Sequence, residues 1–178
     1  MSMSKTSLVL TILGPDRHGL VEQIAKLVAE HHGNWLESRM AHLAGQFAGI
    51  LRVEVDAAQA DSLASSLAGL AQSGLESIIH PDPGATPATA GARPLLHLDL
   101  LGQDRPGIVR DISRVLASLG VNVEELNTEC RAAAETGQPV FHAEAQLRLP
   151  PHVTEAALRQ ALEAVANDLM VDMKLATK

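Results

Sequence analysis

Gly-Pro-Asp-Arg-His-Gly at residues 14–19 returns at residues 102–107 as Gly-Gln-Asp-Arg-Pro-Gly, and each copy separates an alternating apolar run from an amphipathic one. Superposing Leu8 on Leu96 carries the match without a gap to Glu37 on Glu125. It pairs Leu10, Leu13, Val21, Ile24, Ala29 and Asn34 with Leu98, Leu101, Val109, Ile112, Ala117 and Asn122. The chain reads as one module written twice. Each module is near the small end of what buries a working core, so the two are expected to support one another.

Upstream of each loop, Leu8, Leu10 and Ile12, and again Leu96, Leu98 and Leu100, alternate with other residues, as in a strand with one buried face. Downstream, Leu20, Val21, Ile24, Leu27 and Val28 match Ile108, Val109, Ile112, Val115 and Leu116 at the spacing of one apolar helix face. The helices are expected to stop near Gly33 and Gly120, where glycine takes a left-handed terminal conformation with little strain. Further alternation at Leu51, Val53 and Val55 and at Phe141, Ala143, Ala145, Leu147 and Leu149 gives strands. Leu63, Leu67 and Leu70, and Leu158, Leu162 and Val165, give second helices, and short strands are expected at 75–80 and 169–175.

The order strand, helix, strand, strand, helix, strand thus occurs twice. Right-handed crossovers fold such a unit into a four-stranded antiparallel sheet with both helices on one face, an α+β ferredoxin-like arrangement. The strand after the first helix, from Trp35 or Val123, then lies at a sheet edge and seeks a partner. Residues 81–94 hold four Pro and two Gly and no large apolar side chain, which makes them a linker between domains at 1–80 and 95–178.

Hydrophobic residues make up 46% of the chain, yet its rings are Trp35, Phe47 and Phe141 alone, so aliphatic cores are expected. A net charge of -7, with no Lys and Arg cluster interleaved with aromatics, argues against direct nucleic-acid binding. Cys130 is the one cysteine, which excludes an intramolecular disulfide. There is no long apolar span or leader pattern at the start, and a cytoplasmic protein without membrane attachment is expected.

The repeated loop sets backbone N–H groups at a helix N-terminus, which attract anions such as the carboxylate of a small acid or amino acid. The residues also admit a plainer reading. The glycines can serve only a tight strand-to-helix turn, and Asp16 or Asp104 can simply cap the helix. Asn34 and Asn122 offer a donor and an acceptor to a ligand or can be turn residues. Arg17 and Arg105 can grip a carboxylate or form weak surface pairs.

Gly-x-Asp-Arg-x-Gly, an apolar helix, and then Gly-Asn or Gly-x-Asn resembles the ACT domain, a small regulatory ligand-binding fold, and two such modules span nearly the whole chain. The resemblance implies amino-acid binding where the loop meets the edge strand of a neighbouring module. Residues Gly14, Asp16, Gly19 and Asn34 carry over in the first copy, and Gly102, Asp104, Pro106, Gly107 and Asn122 in the second, with Arg17 and Arg105 beside them. His18 replaces the proline and adds a titratable donor, so the two sites need not be equivalent. Pro106 suits a first helical turn, where its missing N–H is not needed. A tandem of this kind is similar to family members that control transcription. That implies a non-catalytic sensor of an amino acid, glycine first, with a transcription-factor partner and a homodimeric state. A ligand-independent interaction module is the alternative. So is a regulatory relative of formyltetrahydrofolate hydrolase, whose amino-terminal ACT region has a similar loop, without its catalytic domain.

No assembled catalytic constellation, cofactor motif or metal-ligand spacing is legible. The eight histidines are scattered, and the adjacent pair His31 and His32 would point in different directions on a helix. Surface histidines are the expectation. Cys130 beside His142 carries no sign of an activated thiol and is expected to be a small buried residue.

Overall fold

In the computed structural model, which describes residues 4–82, 94–134 and 136–177, the chain forms two compact units. The linker expected at 81–94 lies, apart from Pro81, Asp82 and Pro94, outside the described residues. The first unit runs β1 (Lys5–Pro15), α1 (Leu20–Glu30), β2 (Asn34–Leu43), β3 (Gln46–Asp56), α2 (Ala60–Ala68) and β4 (Glu76–Pro81). The second runs β5 (Leu96–Gln103), α3 (Ile108–Ser118), β6 (Asn122–Ala132), β7 (Pro139–Arg148), α4 (Glu155–Leu169) and β8 (Val171–Thr177).

Each unit is an antiparallel four-stranded sheet, ordered β2-β3-β1-β4 in the first and β6-β7-β5-β8 in the second. This is the ferredoxin-like arrangement read from the repeat, with β2 and β6 at sheet edges. Alternation decides which face is covered. Leu8, Leu10 and Ile12 of β1 and Leu51, Val53 and Val55 of β3 pack with Leu20, Ile24, Val28, Leu63 and Leu67 of the helices. The second unit repeats the pattern with Leu96, Leu98 and Leu100, Phe141 to Leu147, and Ile112, Leu116, Leu158 and Leu162. Both cores are aliphatic, with Phe47 and Phe141 the buried rings, and hold no buried polar or charged residue among those described.

Several details differ from the sequence reading. Val21 and Val109, assigned to the buried helix face, are 47% and 43% exposed. The face that packs is the narrower series at i, i+4 and i+8, because each helix lies flat on the sheet and turns its i+1 residue outward. The left-handed residue ending α1 is His32, at φ 55°, whereas Gly120 takes that role after α3 at φ 67°. Gly33 is needed for a different reason: a Cβ there would lie 2.8 Å from Val28 Cγ1 and 2.9 Å from Val55 Cγ1. The last strand begins at Val171, not 169, because α4 continues through Leu169 and a left-handed Met170 makes the turn.

Candidate functional site

Both copies of the loop are built alike. Gly14 and Gly102 stand where the closing turn before the last strand crosses the first strand. A Cβ on Gly14 would meet the Gly74 carbonyl oxygen at 2.6 Å, and one on Gly102 would meet Val171 Cγ1 at 2.5 Å. Gly19 and Gly107 adopt φ of 83° and 99° immediately before α1 and α3, a region open to glycine without strain. All four glycines therefore have a backbone reason. The loop is also pinned to the neighbouring hairpin, since Asp16 N–H donates to Gly45 O at 2.9 Å and Asp104 N–H to Pro139 O at 3.0 Å.

Neither Asp caps its helix. No side chain accepts from the first turn of α1 or α3, in contrast to α4, where Thr154 Oγ1 accepts from Ala157 N–H at 3.2 Å. Gln23 and Asp111 are the first residues whose amides bond back, to Gly19 O and Gly107 O, both at 2.9 Å. The amides ahead of them have no partner within the helix, as at the start of any α-helix.

Chemistry around the two loops is unequal. Asp16, Arg17, His18 and Gly19 are all exposed. In the second copy Arg105 Nη2 donates to the Asp168 carbonyl at 2.7 Å, where a cation meets the negative end of α4. Asp104 hydrogen-bonds Cys130, which is exposed on β6 and not buried as expected. β6 lies at the sheet edge with a register shift between Val123 and Glu125, and all of it is exposed. Reduced hydration against the strand, then the Asp104 hydrogen bond and charge, raise the Cys130 thiol above the usual range, the opposite of an activated nucleophile.

Sequence reasoning missed Arg110 and Asp111 beside this loop. Arg110 donates to both carboxylate oxygens of Asp111, at 2.8 and 3.1 Å, and holds that carboxyl below the usual carboxylate range. The corresponding first-copy residues are Glu22 and Gln23, so only the second loop carries this cation. Also missed was an apolar cleft of about 390 Å³, including its open mouth, lined by Val109, Ile112, Leu116, Val123 and Leu126. The signal was available: the repeat aligns Val123 with Trp35, which packs against the first core.

Asn34 and Asn122 are exposed at the start of the edge strands, and within a module they do not meet the loop. Asn34 pairs with Glu54, Glu54 with Ser7, and Gly14 lies at the far end of β1 from Ser7. At ~3.3 Å per residue that separation is roughly 23 Å. Asn122 pairs with Arg148 at the corresponding far end of the second sheet, and its amide donates to Glu124 Oε1 at 3.0 Å.

No described helix is long and apolar enough to cross a membrane. No curated protein matches the chain. An unknown protein from Galdieria sulphuraria is similar over 98% of this chain and 99% of its own, at 28% identity and TM-score 0.86. A protein described as a candidate glycine cleavage system transcriptional repressor aligns over 98% of each chain, at 17% identity and TM-score 0.72. A formyltetrahydrofolate deformylase from Pseudomonas putida KT2440 aligns over 47% of this chain and 29% of its own, at 19% identity and TM-score 0.41. The ACT domain model matches residues 6–75. The first unit thus matches the ACT domain, and the second unit repeats its βαββαβ order and sheet topology.

Proposed function

We propose that the chain is a non-catalytic sensor of an amino acid, glycine first, that controls transcription by binding a transcription factor rather than nucleic acid. The observation that carries this reading is the duplicated Asp-Arg loop, which leads each time into a helix whose N-terminus carries no side-chain cap. Ligand contacts are assigned to Gly14, Asp16, Arg17, His18, Gly19 and Asn34, and to Gly102, Asp104, Arg105, Pro106, Gly107 and Asn122.

Because loop and asparagine lie at opposite ends of one module, a complete site needs two modules. Antiparallel pairing of two edge strands sets the asparagine end of one beside the loop end of the other, and β2 and β6 each offer an unpaired edge for this. A ligand bridging modules of two chains stabilises the dimer by binding the paired form more tightly, and partner affinity follows the population. A homodimer is the assembly this reading favours. The full-length likeness to the candidate glycine cleavage repressor supports a regulatory role of this kind.

Calorimetric titration of amino acids into the full chain, repeated on Asp16→Ala and Asp104→Ala, tests the proposal. Saturable binding weakened by either substitution is the expected result, and no heat from any amino acid with the parent chain rejects sensing. A second reading, a ligand-independent interaction module, draws support from the backbone reasons found for every loop glycine, close approach at Gly14 and Gly102 and left-handed φ at Gly19 and Gly107, and from Arg105 being held by Asp168. Partner capture unaffected by added amino acids favours it. Light scattering giving the 18.8 kDa mass of one chain rejects the dimer.

A further inference from the structure

On the face of the second sheet turned away from α3 and α4, two histidines and two carboxylates converge across its central strands. His97 and Asp99 are two apart on β5 and share that face, while Asp99 sits directly opposite Glu144 of β7. His97 Nε2 lies 3.9 Å from Glu144 Oε1, and one donor atom from each of His97, Asp99 and Glu144 falls within 4.8 Å of the others. His142 closes the group, with Nε2 3.6 Å from Asp99 Oδ2 and Nδ1 3.6 Å from Glu129 Oε1.

Two carboxylates placed opposite each other on paired strands repel unless a cation intervenes. Among the described residues, the ion-pair partner of Asp99 is His142 and that of Glu144 is His97, and no Lys or Arg pairs with either. Lys174 is the register neighbour of Asp99 on β8 without an ion pair to it, and Glu125 is occupied by Gln146 at 2.8 Å. Imidazole nitrogen with carboxylate oxygen is a donor set for zinc-like divalent ions. Bonds of about 2.1 Å in tetrahedral geometry put neighbouring donors about 3.4 Å apart, so the donors, now within 4.8 Å of one another, close on an ion by side-chain rotation at half-exposed positions.

The fold does not require this set. The first unit, in the same register, has Val9 and Thr11 on β1 and Ala48 and Ile50 on β3, with Thr11 opposite Ile50. None of these is a ligand for such an ion.

We propose that the second unit binds one zinc-class divalent ion through His97 Nε2 and carboxylate oxygens of Asp99 and Glu144, with His142 orienting Asp99 from behind. Three protein ligands leave a fourth position for water or an incoming donor. The site is distinct from the loops and does not depend on amino-acid sensing.

The test is titration of the full chain with Zn²⁺ against a chromophoric chelator, paired with Co²⁺ absorption spectra. One ion per chain is expected, with tetrahedral cobalt bands, and affinity falling at least ~10-fold in His97→Ala and in the near-isosteric Glu144→Gln. His80→Ala and His31→Ala leave it unchanged. Circular dichroism checks that each variant is folded. The absence of Zn²⁺ binding by the parent chain overturns the proposal, and so does binding that survives both His97→Ala and Glu144→Gln.

Discussion

Replacing Gly102 by alanine separates a glycine needed for packing from one kept for a ligand. The added Cβ would lie 2.5 Å from Val171 Cγ1, 2.9 Å from Val171 Cα and 3.0 Å from the Met170 carbonyl oxygen. Two of the three are backbone atoms, so relief requires β8 to move away from β5, to which it is paired from Leu96 to Gly102. Overpacking of this kind costs about 1–3 kcal/mol. In a unit this small each kcal/mol shifts the melting temperature by roughly 4–8 °C, so a fall of roughly 5–20 °C is expected. Gly69→Ala is the control, since a Cβ there meets nothing within 4 Å and φ is -61°, and it should be neutral or stabilising by about 0.4–1 kcal/mol. Differential scanning calorimetry reads the change, and hydrogen exchange assigns it to peptides from β5 and β8. A Gly102→Ala protein that melts within ~1 °C of the parent, with unchanged exchange in those peptides, refutes the steric argument.

Met170→Gly copies the first unit, where Gly74 makes the equivalent turn at φ 83°. Relief of left-handed strain, about 1–2 kcal/mol, outweighs the chain entropy of glycine, about 0.5–1 kcal/mol, so a rise of a few degrees in melting temperature is expected. Leu162→Ala deletes a fully buried side chain and should cost about 2–5 kcal/mol in chemical denaturation, with loss of exchange protection in the second unit. Cys130, with its thiol pKa raised, stays protonated at mildly alkaline pH and should react with iodoacetamide more slowly than glutathione; Asp104→Asn should speed it. Because Arg110 depresses the folded pKa of Asp111, the pair is intact above the ordinary carboxylate pKa and fades as pH falls through the folded midpoint. Carboxyl carbon shifts should show that midpoint move up towards the ordinary value in Arg110→Gln.

Local patterns were enough to read the fold. Period-two runs named the buried strand faces, helical spacing named the packed helix faces but for Val21 and Val109, and the order of elements left one sensible topology. What failed needed information from further along the chain. The turn after α1 is made by a left-handed His32, while Gly33, which was expected to make it, is instead kept small by Val28 and Val55. Cys130 looked like core because a small apolar residue in a strand usually is, but β6 lies at the sheet edge and is exposed along its whole length. The pairing of Asp99 with Glu144 depends on the β5–β7 register, which the spacing of histidines along the chain does not reveal. The candidate loop was legible as a glycine-bounded strand-to-helix turn, whereas Arg110 and the hold of Asp168 on Arg105 were not.

Divergence between the copies constrains what either can do. On the uncovered sheet face the first unit presents Val9, Ile50 and Ile78, the two isoleucines more than half exposed, where the second presents His97, Glu144 and Lys174 in the same register. An apolar face gains from excluding water and a charged one loses by it, so no single partner surface suits both. Any ligand or partner common to the two units must therefore use what both retain, the Asp-Arg loop and the unpaired edge strand. A function carried by one unit alone is to be sought on the sheet face, where the two copies differ in chemistry.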